Sequence, residues 1–107
     1  MSIDFTEFAK VVIYLVENDI SCELRPFYGG YLCCVPTYES RDFDFICHST
    51  SYGHEEGLLE IMGAIVTDEE SEIDSVVGWL TADNVIERIK KHLISKENSW
   101  QILNFMI

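Results

Sequence analysis

Residues 21–48 read SCELRPFYGGYLCCVPTYESRDFDFICH, and the fold turns on how this stretch is parsed. Its apolar and polar residues recur with a period of two, the spacing of a strand that buries one face. Cys22 to Arg25 leads into Pro26, which suits an edge strand or a strand end. Tyr28-Gly29-Gly30-Tyr31 supplies a turn whose glycines accept positive φ. Tyr31 to Val35 is a second strand, stopped by Pro36. The polar run Glu39 to Asp42 is the next turn. From Phe43 to His48 the alternation is clean, with Phe43, Phe45 and Cys47 on one face and Asp44, Ile46 and His48 on the other. Three strands joined by short turns make an antiparallel meander.

Upstream, residues 4–18 carry Phe5, Phe8, Ala9, Val12 and Val16 at three- and four-residue spacing, which predicts a helix. Ser2 or Asp4 can cap it, Glu7 suits the positive end of its dipole, and Asn18-Asp19 stops it. Downstream, residues 49–57 (STSYGHEEG) form a loop. Leu58 to Val66 is ambiguous between helix and strand, and Gly57 and Gly63 favour a strand with a bend. TDEESEID, residues 67–74, holds five acids in eight positions and can only be wet. Ser75 to Leu80 reads as another short strand.

Thr81 then caps a helix striped by Ala82, Val85, Ile86, Ile89 and Leu93, with Glu87 and Lys91 in the favourable i, i+4 order. The polar run Ser95–Ser99 reads as its end. Trp100 to Ile107 then forms a short apolar helix or strand that docks on the body or on a partner. The expected fold is α+β: one domain spanning residues 1–107, with an antiparallel sheet of four to five strands. The N- and C-terminal helices pack on one face, and residues 99–107 form an apolar C-terminal segment.

The chain has 107 residues, 48% of them hydrophobic, enough for one core without disulfides or metals. The acidic start Met1-Ser2-Ile3-Asp4 is not a signal peptide, and no apolar run approaches the ~20 residues of a membrane span. A cytoplasmic location follows. Cys22, Cys33, Cys34 and Cys47 read there as thiols and small core residues, since no CxxC occurs.

The densest polar chemistry lies between Cys47 and Glu60. A Cys47 nucleophile with a histidine base is one reading, but strand neighbours point to opposite faces, so His48 cannot readily serve it. A metal held by His48, His54 and a glutamate is another, though its spacing fits no known signature. A metal- or thiol-dependent small enzyme is therefore the minor alternative. The glycines open no helix after a strand, so no nucleotide loop is expected. Tyr28, Tyr31 and Tyr38 could stack on bases, but Lys10, Arg25 and Arg41 are the only bases in residues 1–83. No catalytic residue and no cofactor is expected.

The charge is lopsided. The net charge is −12, yet residues 1–83 hold 17 acids against those 3 bases, while residues 84–107 hold 2 acids and 4 bases. A compact chain of this length has a radius of gyration of ~13 Å. The excess of 14 acids in residues 1–83, over a ~35 Å body, would be ~0.4 per Å, against ~0.6 per Å for duplex DNA. Such a protein repels nucleic acid and attracts basic surfaces.

Two segments carry a resemblance: SYGHEEGLLEIMG at Ser51–Gly63, and GWLTA at Gly78–Ala82. The region from about residue 43 to 93 is similar to small acidic proteins carried by phages and mobile elements of Gram-positive bacteria. That resemblance implies a phage–host setting, one shared with anti-CRISPR and anti-restriction inhibitors, and implies no reaction. The reading that joins charge and resemblance is a non-enzymatic acidic binding protein, an inhibitor that mimics nucleic acid on the basic surface of a nucleic-acid-binding host protein. The residues expected to carry it are Asp68, Glu69, Glu70, Glu72 and Asp74, then Glu55 and Glu56. The alternative is a general interaction or assembly module, with a homodimer formed through Trp100–Ile107.

Overall fold

In a computed structural model, which describes residues 2–67 and 76–106, the elements run α1 (Thr6–Glu17), β1 (Glu23–Phe27), β2 (Gly30–Pro36), β3 (Arg41–Cys47), a 3-10 turn (His54–Glu56), β4 (Leu59–Gly63), β5 (Val76–Leu80) and α2 (Ala82–Met106). The five strands pair antiparallel in chain order, β1-β2-β3-β4-β5. This is the α+β fold that the period-two stretch predicts. Leu58 to Val66 resolves as a strand closed by Gly63 at φ +97°.

Local chemistry explains the ends of α1. Asp4 Oδ1 accepts the Thr6 amide at 2.9 Å, satisfying one of the free N–H groups of the first turn. At the other end Asp19 takes φ +54°, the Ile20 amide reaches back to the Leu15 carbonyl at 2.9 Å and the Asp19 amide to Val16 at 3.2 Å. That pair of bonds is a Schellman stop with an aspartate in the glycine position. The β1–β2 hairpin turns through Tyr28 (φ +41°) and Gly29 (φ +77°), the type I′ pair that matches strand twist.

One sheet face carries the core. Cys33, Val35, Phe43, Phe45, Cys47, Leu59 and Ile61 meet Phe8, Val11 and Leu15 of α1 and Ala82, Val85 and Ile89 of α2. All of these sheet residues share one side of the register, so both helices pack on that side. The Glu7 carboxylate joins the two helices. Its Oε1 accepts the Ala82 amide at 2.9 Å and its Oε2 takes Lys10 at 3.0 Å, so a side chain of α1 caps α2. Both contacts hold the Glu7 carboxyl below the usual range, the Ala82 amide most. Thr81 Oγ1 adds a bond from the Asn84 amide at 3.2 Å.

Among the described residues no helix lies over the opposite face, yet Leu32, Cys34 and Asp44 are buried there. Beside them Arg25 and Arg41 both lie over the Tyr38 ring, at 4.0 and 4.6 Å. Burial raises the Asp44 carboxyl, and Arg41, bonded to it at 2.9 Å, opposes that rise.

The C-terminal region corrects the expectation of two pieces. Residues 95–99 do not end the helix, and α2 runs unbroken for 25 residues, about 37 Å. Ser95-Lys96-Glu97-Asn98 contains neither glycine nor proline, so polarity there marks an exposed stretch of helix rather than a stop. Lys96 and His92 both bond Asp42 Oδ2, at 2.8 and 2.6 Å, which ties the middle of α2 to the sheet. Beyond that tie Leu103, Phe105 and Met106 are exposed. The chain is accordingly longer than a sphere of its mass, with a radius of gyration of 14.5 Å and a longest extent of 56 Å. Among the described residues, no helix is long and apolar enough to cross a membrane.

Candidate functional site

The two segments quoted for the resemblance meet in space. Between them lies a cleft of about 270 Å³, lined by Thr50 to Glu56 and by Trp79. Its floor is set by close packing. A Cβ on Gly78 would run into Tyr52 Cβ, and one on Gly53 would lie 2.9 Å from Leu58 Cβ and 3.0 Å from Trp79 Cα. Only glycine lets the loop lie this close to β5. Gly57, at φ +70°, turns the chain under the start of α1 with no room for a side chain against the Asp4 carbonyl.

Hydrogen bonds fix the loop. Ser51, itself buried, accepts the His48 amide at 2.9 Å through Oγ and donates to the His48 carbonyl at 3.1 Å. Glu60 Oε1 accepts the Tyr52 amide at 3.0 Å, and the Tyr52 carbonyl accepts the Trp79 amide at 3.2 Å. His54 Nδ1 donates to the Ser51 carbonyl at 2.6 Å, which leaves Nε2 as its acceptor nitrogen when neutral.

Trp79 sits in a register shift of β5. Val77 opposes Ile61 and Leu80 opposes Leu59, so Gly78 and Trp79 together occupy a bulge. Trp79 takes φ +56°, a conformation that costs a bulky L residue about 1–2 kcal/mol. The result is a Trp79 that is 60% exposed, its ring stacked on that of the also exposed Tyr52 with centroids 5.2 Å apart and planes 18° from parallel.

Of the expected site residues, Glu55 and Glu56 are exposed and line this cleft. Asp68, Glu69, Glu70, Glu72 and Asp74 lie outside the described residues. Tyr52 and Trp79 were not among the expected residues. An isolated glycine inside a strand, Gly78, was the signal that the alternation breaks there.

The cysteines and His48 are arranged for packing. Cys33, Cys34 and Cys47 are buried, and burial pushes each thiol up, away from the reactive thiolate. His48 lies on the other face of β3 from Cys47, edge-on to Phe27 and Tyr28 at 5.3 and 5.9 Å. Among the described residues no three His, Cys, Asp or Glu side chains converge to hold a metal ion.

Burial pushes the His48 imidazole below the usual histidine range, while Glu60 pulls it back up. The unfolded chain therefore takes up this proton first. His48 contributes stability above the ordinary value of about 6.5 and loses it as pH falls toward its folded value. The urea midpoint is expected to fall between pH 7.5 and 5.5, and to fall less in His48→Asn. An equal slope in that variant removes His48 as the cause.

Compared with protein-family models, with curated proteins and with solved structures, the chain matches none of them.

Proposed function

We propose that the protein is a non-enzymatic acidic binding protein that docks on the basic surface of a partner, in the manner of an inhibitor that takes the place of nucleic acid in a host protein's binding groove. It works in the cytoplasm, where its four free cysteines stay reduced.

The observation that supports this reading is the local pairing of charge. Each of the three bases in residues 1–83 is held by a near neighbour: Lys10 by Glu7, Arg25 by Glu23 and Arg41 by Asp44. Asp42 is held by Lys96 and His92. Asp4, Glu17, Asp19, Glu39, Glu55, Glu56 and Asp83 remain exposed. Asp4 and Asp83 share the charge of Lys10, and the field of the others attracts a cationic surface over about a Debye length. The excess of residues 1–83 is 14 charges, carried by the part of the molecule from which the end of α2 projects. Acids gather where α1 and α2 begin, with Asp4, Glu7 and Asp83 in or beside the first turns. Asp4 and the Gly57 turn are in contact there, and Glu7 meets Ala82.

Immobilised protein should capture basic, nucleic-acid-binding proteins from a bacterial lysate at low salt. Duplex DNA should compete, and elution should be complete by a few hundred millimolar salt, as expected for a largely electrostatic contact. Partners that persist at ~1 M salt, where the Debye length is about 3 Å, would overturn the reading.

A second reading draws on the exposed Leu103, Phe105 and Met106 at the end of α2. An apolar helix end of this kind suits a homodimer or an assembly contact. Removing residues 100–107 is expected to convert a dimer to a monomer in light scattering; a full-length chain that is already monomeric excludes that reading.

A further inference from the structure

We propose that the cleft between the Ser51–Gly57 loop and β5 is a guanidinium site, which receives one arginine side chain of the basic partner. This rests on the acidic-docking reading and supplies its contact chemistry.

The cleft combines two features that a guanidinium satisfies together. One is aromatic: Tyr52 and Trp79, 46% and 60% exposed, both line the cleft, and because they stack on each other a ligand can lie on the outer face of either ring. The other is negative charge: Glu55 and Glu56 line the same cleft, and neither is ion-paired among the described residues. No lysine or arginine lines it. A guanidinium stacks on an aromatic face through its plane and offers N–H groups at its edge to carboxylates. His54 Nε2 is a further acceptor at the rim when the ring is neutral.

Charge decides against other flat ligands. A nucleobase would stack equally well, but as a nucleotide it brings a phosphate to a protein of net charge −12, beside the Glu55 and Glu56 carboxylates. A lysine ammonium meets the charge but has no plane to lay on the rings. The preference between arginine and lysine therefore separates a built site from a merely acidic surface.

The test compares acetylated, amidated tri-arginine and tri-lysine peptides of equal charge, titrated into ¹⁵N-labelled protein at one ionic strength. Tri-arginine is expected to bind about fivefold more tightly and to shift the Trp79 indole N–H signal. In Trp79→Gly, a residue suited to φ +56°, the two peptides should bind alike and more weakly. Tyr52→Leu provides the same comparison through the other ring, should the first variant fail to fold. Equal, salt-sensitive binding of both peptides to the unaltered protein overturns the guanidinium site and leaves acidic docking standing. Absence of binding by either peptide at low salt overturns both.

Discussion

Replacing Gly30 by alanine is expected to cost about 3 kcal/mol or more, a large share of the ~5–15 kcal/mol that holds a domain of this size together. Gly30 opens β2 with an ordinary negative φ, so the requirement is space rather than conformation. A Cβ there would overlap the Cys47 carbonyl oxygen, 2.7 Å from His48 Cα and 2.9 Å from the Cys47 carbonyl carbon. All three atoms are backbone of the neighbouring strand, so no side chain can swing aside. β2 and β3 would have to part where Tyr31 faces Cys47. In a urea titration this appears as a midpoint lower by more than about 1 M at an unchanged slope. Gly29 is the control. It takes φ +77°, but its added Cβ would meet only Ser49, at 3.5 Å. Gly29→Asn, which tolerates that region, should cost less than ~1 kcal/mol. Equal tolerance of the two changes would refute the packing argument.

The largest effect on function is expected from removing charge. Changing Glu55, Glu56, Glu69, Glu70 and Glu72 to Gln, and Asp68 and Asp74 to Asn, should weaken binding to a basic partner about 100-fold. That figure assumes ~0.4 kcal/mol for each exposed charge contact and tenfold per 1.4 kcal/mol. The slope of log affinity against log salt should flatten at the same time, because fewer counterions exchange on binding. The melting temperature should move by only a few degrees, since the substitutions keep the backbone bond of Glu56 to Gly53 and the Glu55 and Glu56 side chains are exposed. Dividing the set separates two surfaces. If Glu55→Gln with Glu56→Gln carries most of the loss, the cleft beside Trp79 is the contact. If the other five carry it, the acidic run of residues 67–74 is. Unchanged affinity in the full variant would remove all seven from the function.

What the sequence made legible follows from periodicity. The alternation at Phe43–His48 placed Phe45 in the core and Asp44 opposite it, and the turn at Tyr28-Gly29 was visible as a glycine pair. Thr81 was readable as a cap because it precedes an apolar stripe. Other features depend on contacts between distant residues. Glu7 looked like a first-turn acid of its own helix, whereas its strongest bond goes to Ala82, 75 residues away. Hydropathy hides the continuity of α2: the polar run Ser95–Ser99 resembles a stop, although a helix ends at glycine, at proline or in a capping geometry. Trp79 was hidden by the alternation itself. A strand that keeps its period puts Trp79 on the same side as Val77, but the bulge at Gly78 shifts the count by one and turns the indole outward. The candidate site was thus half legible. Its carboxylates were visible as charge, while its aromatic wall required knowing which strand lies under the loop.

The strand order also governs how the chain assembles. Every strand pairs only with its predecessor and successor, so the whole sheet can zip up from hairpins whose closure entropy is small. The wide-span closure is left to the helices, where the amide of Ala82 must find the Glu7 carboxylate 75 residues earlier in the chain. The meander can therefore form early, while α1 waits with Glu7 until α2 folds and its first amide closes the two helices onto the sheet.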